Sequence, residues 1–367
     1  MKPGLGPELH QLLRASAEKA ATAGEPDGEA LAALRAGGLL ATAVPREYGG
    51  AGGDAAEINR VTADIAAANP SLAIIAFQHF AVSARISEWG GEEQKRALLP
   101  RLADGSVLAA SSWSEIGAGA AKQNLSSTGE RRPDGGWVLR GSKTFTTGAA
   151  VADLYLVLVS TGGPEAGERA AYGAAGQTFF LVPADNPGLV PDLGLDLAGM
   201  RGSATGLVHL DECVVSDADR LGPEGRAASI IAGVRESGAT LGAVSAGIAQ
   251  AAFDLALDHA ASRGLLELAT VRQRLVHLAT RVESVRAAVE RAGARTAADP
   301  GLATLHSKLY ATTTAEDICL DVARMLGSAG YRAGTTADRL LADARGVGLM
   351  GPTNDLCREL VALSWTV

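Results

Sequence analysis

Three long segments in the C-terminal half constrain the fold of this chain more than any other feature. Residues 230–262, 265–292 and 302–326 carry apolar side chains at helical spacing, and each segment is too long to be a strand. The first segment is rich in Ala, Gly and Ser, whose small side chains let neighbouring helices approach closely. The pattern therefore predicts long helices that pack together as a bundle.

Shorter helical segments occupy the first part of the chain. Residues 31–40 and 57–68 have apolar side chains at helical spacing. Residues 71–89 form a long apolar stretch whose length favours a buried helix over a strand, and residues 91–102 form a further short helix. This part of the chain is therefore expected to be helical.

The middle of the chain has the character of β structure. Residues 154–159 and 178–182 are runs of β-branched, aromatic and other apolar residues of strand length, and residues 207–210 and 213–215 continue the pattern. Residues 162–176 are rich in Gly and Ala with mixed charge, which is typical of an exposed loop.

The order of these segments predicts an α+β chain of three domains. We expect an N-terminal helical domain over residues 1–108, a β domain over residues 109–220 and a C-terminal helical bundle over residues 221–367. A length of 367 residues fits two or three hydrophobic cores better than a single one.

Charge, cysteine and histidine usage exclude several classes of function. A net charge of −8 argues against nucleic acid as the main partner, because phosphate binding needs clustered Lys and Arg. The three cysteines are far apart and the six histidines lack paired-ligand spacing, so no metal site is expected. No apolar run is long enough to span a membrane. The N-terminus lacks the apolar region of a signal peptide, so we expect a cytoplasmic protein.

Three short motifs follow one another in a fixed order. Residues 112–119 read SWSEIGAG, residues 141–148 read GSKTFTTG, and residues 326–331 read LGSAGY. Each motif alone is weak, because glycine pairs are common in proteins. Together, with helices before and after the β segments, they resemble the acyl-CoA dehydrogenase family from about residue 41 onward. The resemblance implies a β-barrel or β-sandwich in the middle and a C-terminal four-helix bundle.

The resemblance to this family also implies a bound FAD and assigns residues to its flavin ring. Trp113 and Ser114 match the segment that lies along the isoalloxazine. Phe145 replaces the family's tryptophan on the ring face, which keeps an apolar surface but loses the indole N–H. Thr147 matches the threonine whose hydroxyl reaches N5 of the flavin.

Four further residues match FAD-contacting positions of the family's C-terminal part. Arg263 matches an arginine that reaches the FAD of a neighbouring subunit, and Arg324 replaces a glutamine where its guanidinium would pair with the pyrophosphate. Gly327 permits a close backbone approach, and Thr353 matches a threonine that contacts the cofactor. Because arginine contacts of this kind cross a subunit boundary, the resemblance implies a homodimer or homotetramer.

The position of the family's catalytic base is changed in this chain. Gly351 stands where many members have a glutamate. Glycine accepts no proton, although its backbone N–H can donate to a thioester carbonyl. The family's alternative base position falls on Ser237, about 100° of helix rotation after Glu236. We expect Glu236 to be the base if a bulge or a shifted helix start turns it into the site; otherwise it pairs with Arg235 or solvent.

Other substitutions bear on the carrier of the acyl group. Gly238 replaces an arginine that lies near the thioester in the family, and Ala120 and Ala121 replace a serine and an aspartate. The loss of these contacts indicates an acyl carrier protein (ACP) in place of coenzyme A. As a whole, the chain resembles the short acyl-ACP dehydrogenases that make hydroxymalonyl or methoxymalonyl extender units for polyketides.

The resemblance leaves three functions open. The first is FAD-dependent oxidation of a short, ACP-bound acyl thioester, with Glu236 as the base and Gly351 as a carbonyl donor. The second is a flavin-dependent monooxygenase on the same fold, since those enzymes also lack the catalytic glutamate. The third is a catalytically silent binding partner, which the retained flavin motifs disfavour.

Overall fold

The computed structural model describes residues 4–162 and 170–365. Within them, helices at both ends flank a central sheet, which confirms the predicted α+β class and the order of its parts. The loop expected over residues 162–176 falls partly outside the described residues. No helix of the described ranges combines the length and the apolar character that a bilayer crossing requires.

Five helices make up the N-terminal part: α1 (Pro7–Ala23), α2 (Gly28–Ala36), α3 (Ala55–Ala68), α4 (Pro70–Trp89) and α5 (Glu92–Ala103). The side chains of Asp27, Asp54 and Asn69 cap the N-termini of α2, α3 and α4 by accepting a backbone N–H of the first turn. Helix α4 is mostly buried, as its apolar sequence predicts. Helix α1 has no counterpart among the predicted helices, because many of its apolar positions are alanines.

The described strands form one sheet: β1 (Ala109–Ser112), β2 (Thr128–Arg131), β3 (Trp137–Thr146), β4 (Leu154–Ser160), β5 (Gln177–Pro183), β6 (Leu189–Asp192), β7 (Gly206–Val215) and β8 (Arg220–Leu221). The strand order is β6-β7-β3-β2-β4-β5-β8, and β1 pairs in parallel with β4. Strands β3 and β7 are antiparallel, as are β4 and β5. The sequence did not predict β1, β2 and β6, because each has only four residues, several of them small or polar.

Strand β4 anchors the sheet because both of its faces are buried. Alternate residues of a strand point to opposite faces. On one face, Leu154, Leu156 and Leu158 share a core cluster with residues of helices α4 and α5. On the other face, Tyr155 and Val157 share a second cluster with residues of strands β3, β5 and β7. One face of β4 therefore packs on the helices, and the other packs on residues of the neighbouring strands.

Six helices follow the sheet: α6 (Ala227–Glu236), α7 (Gly242–Ser262), α8 (Ala269–Ala294), α9 (Pro300–Leu326), α10 (Thr336–Leu349) and α11 (Asn354–Leu363). Helix α9 confirms the helix predicted over residues 302–326. Helix α8 covers most of the helix predicted over residues 265–292, which begins with a short 3₁₀ turn (Leu265–Glu267).

The prediction of a single helix over residues 230–262 is wrong. The chain breaks between α6 and α7, where Gly238 has a φ of 87°. A Cβ at Gly238 would lie 2.5 Å from the carbonyl oxygen of Ala292, so a side chain there would collide with α8. The Asn59 side chain of α3 satisfies backbone groups freed by the break. It donates to the Gly238 carbonyl at 3.0 Å and accepts from the Thr240 N–H at 2.9 Å.

Helices α3 and α7 approach each other closely at Gly247. A Cβ at this position would lie 2.3 Å from the carbonyl oxygen of Ala63 and 2.5 Å from the Ala66 side chain. The absence of a side chain therefore allows the N-terminal helices to pack directly on the C-terminal bundle.

We expect Gly247→Ala to lower the free energy of unfolding by about 1–3 kcal/mol, because the two helices must move apart to admit the methyl group. Urea denaturation measures the change. Gly233→Ala is the matched control, because a Cβ at that helical glycine of α6 meets nothing within 4 Å. The control should be neutral or slightly stabilising. Equal losses of stability in the two variants would contradict close packing at Gly247.

Candidate active site

A cavity of about 810 Å³ lies where the sheet meets the helices. Its wall includes residues of α4, α6, α9 and α10, the segment after β1, the end of β3 and the turn between α10 and α11. Ligand pockets in proteins typically measure about 300–1,000 Å³, so this cavity has room for a cofactor ring and a small substrate.

Many of the residues singled out in the sequence line this cavity: Trp113, Ser114, Phe145, Thr147, Gly351 and Thr353. They come from three distant parts of the chain, and the fold brings all of them to the lining of the same cavity. The roles assigned to them from the family resemblance stay predictions.

Glu236 lies outside the cavity lining. It is the exposed last residue of α6, whereas the residue before it, Arg235, lines the cavity. Successive helical residues are about 100° apart, so the two side chains leave the helix in different directions. Helix α6 continues as regular α-helix to its last residue, without the bulge that would turn Glu236 inward.

Arg263, Arg324 and Gly327 also lie outside the cavity lining, at the exposed ends of α7 and α9. The Arg324 guanidinium donates to the Asp321 carboxylate of the same helix at 3.0 Å. Within one subunit none of the three reaches the cavity. For Arg263, the resemblance implies a contact with the FAD of a neighbouring subunit.

The residues at the sheet end of the cavity fit a flavin ring. The Phe145 ring is 61% exposed, and the residue has a φ of 52°, a conformation that non-glycine residues seldom adopt. The indole N–H of Trp113 is buried and has no hydrogen-bond partner among the described residues. The Thr205 hydroxyl donates to the Thr147 hydroxyl at 3.0 Å, which leaves the Thr147 proton free for a ligand. An open aromatic face with unpaired donors around it suits a planar heterocycle.

The turn between α10 and α11 places Gly351 beside two polar side chains. A Cβ at Gly351 would lie 3.2 Å from Nζ of Lys122 and 3.3 Å from the hydroxyl oxygen of Tyr172. The Lys122 ammonium also donates to the Tyr172 hydroxyl at 2.9 Å. A lysine and a tyrosine therefore border the space in which a glutamate side chain would begin. No sequence motif had indicated either residue.

A buried ion pair lies next to the cavity. The Lys143 ammonium of β3 donates to the Glu115 carboxylate at 2.5 Å, and the two side chains are 0% and 1% exposed. Ser126 and Ser127 donate further hydrogen bonds to the same carboxylate. Burial alone would raise the pKa of Glu115, but the Lys143 charge and the serine donors outweigh it and hold that pKa below its usual range.

Glu115 is the one carboxylate that lines the cavity within the described ranges. Because Lys143 and two serines already occupy its oxygens, it is a fixed structural anion and not a free base. The sequence motifs contain both members of the pair, but their pairing was not predicted. The one signal in the sequence was that each of these two motifs contains a single charged residue, a glutamate in the first and a lysine in the second.

We expect Lys143→Met to lower the free energy of unfolding by about 3–5 kcal/mol, because the Glu115 carboxylate stays buried without its counter-charge. Adding Glu115→Gln should recover much of the loss, since no buried charge remains. Arg140→Met is the control on the same strand. Its exposed pair with Glu212 should leave the urea midpoint close to that of the unchanged protein. A stable Lys143→Met variant would show that the pair does not support the fold.

Comparison with known proteins agrees with this geometry. Three family models match in order: the acyl-CoA dehydrogenase N-terminal domain over residues 9–106, its middle domain over 110–213 and its C-terminal domain over 228–365. A cyclohexane-1-carbonyl-CoA dehydrogenase from Geobacter metallireducens is 31% identical and covers 92% of this chain and 89% of its own length. An L-prolyl-(peptidyl-carrier protein) dehydrogenase from Pseudomonas fluorescens is 29% identical, with coverages of 89% and 87%.

A solved structure extends the comparison to the whole fold. FkbI, an enzyme for biosynthesis of the methoxymalonyl extender unit of the Fk520 polyketide, superposes with a TM-score of 0.84 at 25% identity and covers 98% of both chains. The domain models, the sequence relatives and the fold all agree. The chain therefore belongs to the acyl-CoA dehydrogenase family and is a flavin-dependent oxidoreductase of acyl thioesters with FAD as its cofactor.

Proposed function

We propose that this protein oxidises a short acyl group bound as a thioester to an acyl carrier protein, in the supply of extender units for polyketide synthesis. The observation that carries the proposal is the loss of side chains expected to contact coenzyme A. Ala120, which lines the cavity, and Ala121 are too short to bind a polar ligand. Gly238 lies in the α6–α7 break, where the arginine of the family would collide with α8.

Two relatives support a carrier protein as the partner. The similar protein from Pseudomonas fluorescens is named for a prolyl group on a peptidyl-carrier protein. The structurally similar FkbI is named for a methoxymalonyl extender unit. The first aligns with 89% of this chain in sequence, and the second covers 98% of it in fold. These similarities support a cavity that serves an acyl group delivered by a carrier.

The residues of the cavity orient the acyl group for this reaction. FAD, when bound, supplies the acceptor for the hydride that leaves the acyl chain. The Gly351 N–H would donate to the thioester carbonyl, where negative charge develops as a base takes up the α-proton. Glu236 is the base predicted from the sequence, and the Glu236→Gln variant tests that role. The Thr147 hydroxyl accepts from Thr205, so its own proton would be available to donate to the flavin edge. The apolar wall, which includes Phe77, Leu241 and Leu305, keeps water from the reacting carbons.

We also propose that the protein is a homodimer or homotetramer. The ends of α7 and α9 expose Arg263, Arg324 and Gly327 away from the cavity of their own chain. Arginine is suited to bind phosphate groups in a bidentate manner. These residues would then complete the FAD site of a neighbouring subunit.

We expect short acyl-ACP to bleach the main visible absorbance band of the FAD-loaded protein under anaerobic conditions, because the flavin takes up the hydride. The matching acyl-CoA should cause little or no bleaching, because its contacts are missing. An anaerobic titration of the purified protein with each thioester in turn measures this. Bleaching by acyl-CoA alone would contradict the carrier assignment.

A flavin-dependent monooxygenase is the second candidate. The observation that favours it is the absence of a free carboxylate among the described residues that line the cavity. In that case neither thioester bleaches the flavin, and the externally reduced protein consumes oxygen in the presence of its substrate. The same titration, followed by an oxygen-electrode measurement, separates the two functions.

The assignment of Glu236 as the base stays a prediction, and its exposed position outside the cavity lining argues against direct contact with substrate. We expect Glu236→Gln to oxidise acyl-ACP at a rate within about threefold of the unchanged protein, whereas loss of a general base typically costs about 10²–10⁴-fold. Stopped-flow flavin reduction measures the rate. A loss in the larger range would establish Glu236 as the base.

A further inference from the structure

The cavity wall carries more positive than negative charge. Four cationic side chains line it: Lys122, Arg235, Lys308 and Arg345. No carboxylate among the described residues lies within ion-pair distance of any of the four. The lining carboxylate of Glu115 is already neutralised by Lys143. This local excess occurs in a chain whose overall net charge is −8, so it is not a consequence of composition.

Two of these cations are buried against the turn that holds Gly351. Lys122 is 5% exposed, and its ammonium donates to the hydroxyl of Tyr172. Lys308 is 3% exposed, and its ammonium donates to the Met350 carbonyl at 3.1 Å and to the side-chain oxygen of Asn354 at 3.3 Å. All of these acceptors are neutral. An ammonium has three N–H donors, so each lysine keeps at least one for a ligand.

The third cation is also incompletely satisfied. Arg235 is half-buried on α6, and its Nε is buried without a hydrogen-bond partner in the described part of the chain. Burial lowers the pKa of Lys308 to about 8, which reflects how poorly this environment stabilises a cation without an anion. Buried charges are usually paired, so an arrangement of this kind is completed by an anionic ligand.

We propose that the acyl group bound in this cavity carries a carboxylate, which the Lys122 ammonium and the Tyr172 hydroxyl hold beside Gly351, with Lys308 on the same turn. This proposal rests on the proposed function, because it takes the cavity to be the acyl-thioester site. The Lys122–Tyr172 pair lies 3.2–3.3 Å from where a Cβ of residue 351 would be. It therefore faces the reacting carbons, and a short acyl chain brings its far end to the pair.

The phosphate of a carrier arm is the other anion that could enter the cavity. That phosphate is joined to the end of the pantetheine opposite to the thioester, so it is far from the acyl carbons. Lys122 and Lys308 are almost fully buried, whereas Arg345 is exposed. The buried pair therefore suits an anion on the acyl group itself.

The test is a calorimetric titration of the FAD-loaded protein with two small thioesters. Malonyl-pantetheine carries a carboxylate, and malonamoyl-pantetheine is its uncharged amide of nearly the same shape. Neither contains a phosphate, and neither has a hydrogen on the β-carbon, so binding is measured without oxidation. We expect the malonyl thioester to bind at least about tenfold more tightly, as for a charge-assisted hydrogen bond.

Lys122→Met and Lys308→Met should each reduce this preference. In Lys122→Met the affinities for the two thioesters should differ by no more than about threefold. Tyr172→Phe removes only a hydroxyl and provides a second, milder variant should Lys122→Met fold poorly. Lys19→Met is the control, because that side chain is 70% exposed and far from the cavity lining. Unchanged binding of the amide shows that a variant is intact.

Equal affinity of the unchanged protein for the two thioesters would overturn the proposal, and so would a preference that survives in all three cavity variants. Binding of inorganic phosphate alone, lost in Lys122→Met, would overturn the carboxylate assignment in favour of a phosphate site. The outcome is independent of the carrier. If the protein prefers the malonyl thioester but does not oxidise acyl-ACP, only the proposed function is contradicted. If it oxidises acyl-ACP but shows no such preference, only the present inference is contradicted.

Discussion

The ion pair between Lys143 and Glu115 is the interaction on which the cavity depends. It joins strand β3 to the segment after β1, and the two segments supply Trp113 on one side and Phe145 and Thr147 on the other. A buried pair at 2.5 Å tolerates little displacement, because each charge would lose its only counter-ion in a medium of low polarity. This contact sets the separation of the two segments, and with it the width of the flavin end of the cavity, together with two further hydrogen bonds. The Thr144 N–H donates to the Ser114 carbonyl at 2.9 Å, and the hydroxyls of Ser112 and Thr146 are hydrogen-bonded at 2.9 Å.

Local patterns in the sequence predicted the elements that local physics determines. The apolar spacing of α9 and the β-branched and aromatic residues of β4 and β5 are properties of neighbouring residues, so they could be interpreted without the fold. The family motifs extended this to the cavity, because Trp113 and Phe145 stand at fixed places within them and Gly351 stands at the family's base position. The short strands β1, β2 and β6 escaped prediction because their pairing partners, not their composition, hold them extended.

The break between α6 and α7 and the cations beside Gly351 depend on residues that are distant in sequence. A glycine is tolerated inside many helices, and Gly238 ends one here because α8 leaves no room for a Cβ and Asn59 satisfies the freed backbone. Lys122 lies more than two hundred residues before Gly351, and only the folded chain brings the two together. The exclusion of Glu236 from the cavity follows from the same break, since it sets the last turn of α6.

Because of that break, the rotation of α6 about its own axis is independent of how the bundle helices α7, α8 and α9 pack. One residue removed from α6 ahead of Arg235 would turn the side chains that follow it by about 100°. Glu236 would then take the direction that Arg235 has now, and the non-helical link over residues 237–241 would absorb the change in length while α7, α8 and α9 kept their packing. A family built on this fold can therefore change the sign of a charge in its active site through a single deletion, and diverge in chemistry with every side chain of the bundle conserved.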